Sequence, residues 1–206
     1  MTGRFSFVSP KFLDQFEKYA LCLIFGFFAW RMISSYMETG SAAVLIYLFD
    51  QFVIIGFLLL RRATDAISLR PEDWLLGFAG TFMPLVQGPT SGVPLFSASV
   101  IVAFMLIGSV IHIAAKLTLR RSFGVVAANR GIKVNGAYQV VRHPMYLGYI
   151  ISQAGFLMSG PTAWNTVVFL STVVLLILRI EVEERLLRQD KDYAGAAGSK
   201  LVPGIY

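Results

Sequence analysis

Two short stretches of this chain collect the residue types that do chemistry. The first is Arg142-His143-Pro144-Met145-Tyr146-Leu147-Gly148, a histidine between an arginine and a proline suited to the first turn of a helix. A histidine there lies near unpaired backbone N–H groups that favour an anion. The second runs from Arg179 to Leu187, RIEVEERLL. Arg179 and Glu183 stand four residues apart and so share one helix face, with Glu184 about 100° further round. A carboxylate accepts hydrogen bonds, and the cations pair with an anionic group. Taken singly, each stretch has a plainer reading, the first as a helix start and the second as a solvated helix end with surface ion pairs. Ahead of them lies LTLRRSFGVVAANRGIKVNGAYQVVR, ending at Arg142, which is basic, punctuated by glycine and only moderately apolar.

Other chemistries are poorly supplied. One cysteine, Cys22, excludes an internal disulfide, and with His112 and His143 as the histidines there is no zinc cluster of usual spacing. His112 reads as a packed histidine, and Cys22, the methionines and the phenylalanines of the first apolar segment as packing or lipid contacts. No strand leads into a glycine-rich helix start, so a Rossmann-type nucleotide site is not expected.

The elements that position these residues are membrane helices. Apolar residues make up 56% of the 206 and charged residues 15%, with a mean hydropathy of +0.66. Soluble domains carry roughly 45–50% apolar and about 25% charged residues, so lipid is the expected solvent. Spanning segments of about 20 apolar residues are read at 19–36, 42–60, 93–115 and 161–178, with two short ones at 74–87 and 145–159. With the N-terminus in the cytoplasm, 17 of the 18 basic residues fall on the cytoplasmic side, as the positive-inside rule requires. This distribution explains the net charge of +6 better than nucleic-acid binding does. Arg31 is the exception, and Asp50 at similar depth on the next segment is its expected partner, with snorkelling toward Glu38 as the alternative. No cleavable leader is read at the N-terminus. The expected fold is all-α, an integral membrane protein of about six transmembrane helices with both termini inside. It is one structural domain, with N-terminal helices over 1–116 and a cytoplasmic pocket built from 117–206.

In combination, Gly136-Ala137-Tyr138, then Arg142 to Gly148, then Glu183-Glu184 after a membrane hairpin resembles the isoprenylcysteine carboxyl methyltransferase family and its relatives, the phospholipid N-methyltransferases. The resemblance covers roughly 117–206. Ala137 stands where the family commonly has proline, and the small-residue tail after Tyr193 departs from the family's second tyrosine.

What the resemblance implies is a membrane methyltransferase dependent on S-adenosylmethionine. Arg130, Gly131, Ile132, Lys133, Tyr138, His143, Pro144, Met145, Tyr146 and Glu183 are then the cofactor-binding residues. Arg179 is the substrate-binding residue and, with Glu184, the catalytic one; no metal is implied. The partners are the bilayer and a prenylated or lipid acceptor. A carboxylate acceptor needs no general base, whereas an amine would need one, with Glu184 or His143 available. No residue stands out as a dedicated base, which favours carboxyl O-methylation of an isoprenylcysteine-like group over N-methylation of an amino-lipid headgroup. A non-catalytic membrane scaffold is the third reading. The bacterial inner membrane is expected rather than the endoplasmic reticulum.

Overall fold

The computed structural model describes residues 8–39, 42–88, 92–190, 193, 199–204 and 206. Among them are six α-helices: α1 (Pro10–Thr39), α2 (Ala42–Leu60), α3 (Pro71–Phe82), α4 (Ala98–Leu119), α5 (Pro144–Met158) and α6 (Ala163–Leu187). No strand occurs among the described residues, and the one isolated bridge joins Ile67 to Ala128. Three stretches, Pro10–Glu38, Ala98–Ser122 and Ala163–Leu187, are long and apolar enough to cross a membrane. Together with the wide belt of exposed Phe, Leu, Ile and Val on these helices, they define a multi-pass membrane protein.

Several boundaries differ from those the apolar runs predict, because a helix continues after its apolar run ends. The first helix begins at Pro10 rather than at 19, and the extra turns carry Asp14 and Glu17. The last runs on from 178 to Leu187, keeping Arg179, Glu183 and Glu184 in regular helix. α4 starts at Ala98, after an extended Ser97. The short third segment is α3 followed by a 3₁₀ turn over Met83–Val86, and Pro84 removes the donor that would continue the α-helix. Pro144 occupies the first turn of α5, as read from sequence. α6 starts at Thr162, whose Oγ1 accepts the Asn165 N–H at 3.1 Å.

α4 and α5 approach most closely, through glycines. A Cβ on Gly108 would lie 2.3 Å from the Ser152 nitrogen, and one on Gly148 would lie 2.6 Å from the His112 nitrogen. Small residues that let helix backbones meet are a standard device of membrane packing. His112 is half-buried in this seam, its ring centroid 4.9 Å from that of Tyr149. Arg31 is exposed, and the Asp50 side chain expected to pair with it lies outside the described residues.

The two ends of the bundle differ. At one end uncharged side chains bond to backbone across the fold: Trp164 Nε1 donates to the Val86 carbonyl, and Asn165 brackets the Gly88 backbone. The other end gathers buried charged and polar groups, including Asp14, Glu17, Arg61, Asp73, Arg130, His143, Arg179 and Glu184.

Candidate active site

At this polar end the chain from Phe123 to Arg130 runs as an extended strap between α3, α1 and the start of α5. Three kinds of contact hold it. Its outer edge pairs with the α2–α3 connector, Ser68 N donating to Ala127 O at 3.0 Å and Asn129 N to Ala66 O at 2.8 Å. Gly77 of α3 lets the strap in, since a Cβ there would sit 2.9 Å from the Val125 carbonyl oxygen. Finally, Glu17 Oε1 accepts the N–H groups of Val125 and Val126 at 2.7 and 2.9 Å.

Two cavities lie on either side of this strap. The larger, about 480 Å³, is lined by Val126–Ala128, Arg130, Gly131, Ile132, Lys133, Tyr138, Arg142, His143, Met145, Tyr146, Glu183, Leu187 and Tyr193, among others. The smaller, about 190 Å³, is mostly aromatic and aliphatic and lies between α1, α2, α3, α5 and α6, with Phe25, Phe82, Tyr149, Leu176 and Arg179 in its wall. Met145 faces both, and Phe123 and Val125 of the strap belong to the smaller cavity while Gly124 and Val126 belong to the larger. The strap and Met145 therefore form a thin partition.

The acidic end of α6 supplies the polar groups at this partition. Glu183 Oε1 accepts from the Tyr146 hydroxyl and, at 3.3 Å, from Arg179 Nε. Glu183 Oε2 points toward His143 Nδ1 at 3.7 Å. Arg179 spreads its fork over the wall of the smaller cavity: Nη1 donates to Thr81 Oγ1 at 2.9 Å and Nη2 to Gly124 O at 3.5 Å. Its guanidinium also stacks over the Tyr146 ring at 5.1 Å. Burial, reinforced by the charge of Glu183, pushes the Tyr138 phenol well above the ordinary tyrosine range, so this hydroxyl stays a donor.

Glu184 lies behind this surface and is fully buried. Its Oε1 accepts from His143 Nε2 at 3.0 Å and from the Tyr193 hydroxyl. Its Oε2 accepts from Arg142 at 2.8 Å and Arg188 at 3.3 Å. With both oxygens filled by donors, Glu184 fastens the start of α5 and the tail to α6. The tail adds backbone bonds, with Arg142 N and His143 N donating to Ser199 O and Lys200 O, each at 2.9 Å. Burial and the bond to Glu184 raise the Tyr193 phenol above its usual range.

Nine of the residues singled out from sequence meet in the larger cavity: Arg130, Gly131, Ile132, Lys133, Tyr138, His143, Met145, Tyr146 and Glu183. Arg179 lies in the wall of the smaller one. Pro144 is buried in the first turn of α5, and Glu184 is in neither wall. Arg130 lines the larger cavity, but its Nη2 is held at 2.7 Å by both Asp14 and Glu17. Sequence reading assigned no site role to Arg142, Tyr193, Asp14, Glu17 or Arg61. For Arg142 the signal was its place beside His143. Asp14 and Glu17 gave only a faint one, two acids three residues apart ahead of an apolar run.

Residues 100–189 match the model of the isoprenylcysteine carboxyl methyltransferase (ICMT) family. The match contains α5, α6, the strap and most of α4, which is to say nearly all of the larger cavity. With its apolar helices this chain is a membrane methyltransferase. The likeness, which extends over less than half of the chain, is to a family whose enzymes use S-adenosylmethionine as methyl donor. No curated protein matches the chain.

Proposed function

We propose that the larger cavity binds S-adenosylmethionine and the smaller one the reacting end of a lipophilic acid, an isoprenylcysteine-like carboxylate, at the cytoplasmic face. The observation that carries this reading is the partition: two cavities of different polarity share Met145 and the strap, with Glu183 on one side and Arg179 on the other. The cytoplasmic placement rests on the charge distribution along the sequence, which puts 17 of 18 basic residues on one side of the membrane in the topology read above.

The residues present suit such a donor. A volume of about 480 Å³ lies within the roughly 300–1,000 Å³ of small-molecule sites. Leu119, Ile132 and Leu187 offer apolar surface for a flat base, and the Glu183 carboxylate together with the Tyr138 hydroxyl offers an acceptor and a donor for a diol or ammonium. Arg130 has its guanidinium taken up by Asp14 and Glu17, so the cation for a cofactor carboxylate falls to Lys133, with His143 in the same wall as a polar neighbour. When bound, S-adenosylmethionine supplies an electrophilic methyl on a sulfonium.

The chain's own residues then orient and exclude water. Arg179 holds an acceptor carboxylate in a mostly apolar cavity, and such a carboxylate needs no proton removed. Glu184, with both oxygens occupied, fixes His143 and the α5 start as a positioning residue. An amine acceptor would rely on His143 alone, which is why the carboxylate is preferred.

Two measurements test the reading. Titration of detergent-solubilised protein with S-adenosylhomocysteine is expected to give saturable, one-to-one binding; none at millimolar ligand would sink it. A labelled-methyl assay is expected to label a prenylcysteine and not phosphatidylethanolamine, and the reverse result would establish N-methylation. Glu183→Ala is expected to weaken S-adenosylhomocysteine binding by about 10- to 100-fold, the worth of one or two hydrogen bonds to a charged group. Unchanged affinity would remove Glu183 from the donor site.

A further inference from the structure

The strap that separates the two cavities is held from outside the family-matched region. Glu17 is on α1, and its side chain is wholly buried. One of its oxygens takes both strap amides, Val125 N and Val126 N. The other takes Arg61 Nη1 at 2.9 Å and Arg130 Nη2 at 2.7 Å. Asp14, one turn earlier, accepts from the same two arginines, at 3.1 Å from Arg61 and 2.7 Å from Arg130. Two carboxylates and two guanidiniums thus form a neutral cluster with side chains at most 2% exposed. It ties α1, the end of α2, the middle of the strap and its last residue, Arg130, together. Gly124 shows how tightly: a Cβ there would lie 2.3 Å from Arg130 Nη1.

A cluster built only to join helices would not need to spend a carboxylate oxygen on two successive backbone amides. Those amides belong to the residues whose side chains divide between the cavities, Val125 facing the smaller and Val126 the larger. We propose that Glu17 is a positioning residue for methyl transfer, setting the strap, and with it the separation of donor and acceptor, through Val125 and Val126. Arg61 and Arg130 serve it by holding its second oxygen and so aiming the first, and Asp14 keeps both guanidiniums in place. The first two helices are therefore part of the reaction geometry. This inference rests on the two-cavity reading above.

The test uses the full-length protein in detergent. Wild type is first assayed for S-adenosylhomocysteine binding and methyl transfer, which judges the two-cavity reading by itself. Glu17→Gln is then compared with a charge-balanced double variant, Glu17→Leu with Arg61→Leu. Replacing a buried ion pair by apolar residues often leaves stability intact, so the double variant stays informative where the single one does not fold. Lys11→Ala, at an exposed pair with Asp65, is the control.

Hydrogen exchange of the peptide covering 123–130 is expected to speed up about tenfold in the Glu17 variants, as a local opening would require. Saturating turnover is expected to fall about a hundredfold, the scale of an ångström-sized misplacement, while S-adenosylhomocysteine affinity changes much less. Overturning results are wild-type exchange in that peptide, or a folded double variant whose turnover stays within about threefold of wild type, well short of that hundredfold loss. Equal loss of affinity and turnover would also overturn it, making the cluster a support of the donor cavity alone.

Discussion

Arg179→Lys is expected to keep the protein folded and able to bind S-adenosylhomocysteine, yet to lower kcat/KM for the acceptor by about a hundredfold, near 2.7 kcal/mol at 1.36 kcal/mol per tenfold. The reason is geometric. Arg179 is buried and points its donors in three directions, toward Glu183 at 3.3 Å, Thr81 at 2.9 Å and Gly124 at 3.5 Å. A lysine carries the same charge on one tetrahedral nitrogen and cannot hold this planar fork. Arg179→Ala is expected to do more, because it leaves Glu183 without its cation, and removing one member of a buried pair costs about 3–5 kcal/mol. That variant should lose both thermal stability and turnover. Steady-state kinetics at varied acceptor concentration check the lysine variant. An acceptor dependence equal to wild type would take Arg179 out of acceptor binding.

The chemistry at the start of α5 and the end of α6 could be seen in the sequence because it is local. His143 and Pro144 are neighbours, and Arg179 and Glu183 are one helical turn apart, so spacing encodes their shared faces. The same holds for α2, whose limits of Ala42 and Leu60 coincide with the apolar run because Arg61 and Arg62 follow at once. α1 and α6 were harder, since their polar turns remain helical through contacts that no run of hydropathy records. The ion cluster was not legible. Asp14, Arg61 and Arg130 are separated by 47 and 116 residues, counted from Asp14, and pairs that meet only in three dimensions leave no period behind. Arg61 therefore read as a topological charge, and Arg130 as a free cation for the cofactor. Glu184 reads as a candidate base beside Glu183. Only the fold shows that the 100° turn between them sends one carboxylate into the cavity and the other into a ring of donors.

Gly148 carries the second large effect. Its position closes the Arg142–Gly148 stretch and sits in the seam where α5 crosses α4. A side chain there would meet the His112 nitrogen at 2.6 Å, the Gly108 oxygen at 2.7 Å and the His112 Cβ at 2.8 Å. Two of these atoms are backbone, so no rotamer change relieves the clash and α5 itself must move. Overpacking a core typically costs about 1–3 kcal/mol, and a contact with backbone belongs at or above the top of that range. α5 also begins at the residues lining the larger cavity, so a shift of the helix displaces Met145 and Tyr146 from the partition. Gly148→Val is thus expected to lower the melting temperature by several degrees, since about 1 kcal/mol shifts it by roughly 2–4 °C at this chain length. It is also expected to abolish S-adenosylhomocysteine binding. Gly26→Ala, where an added Cβ meets nothing within 4 Å, is the matched comparison and should retain both. Fluorescence melting and ligand titration on the two variants separate a seam that must be glycine from a helix that merely contains one. A Gly148→Val protein that melts and binds like wild type would mean that α4 and α5 have room to part without disturbing the site.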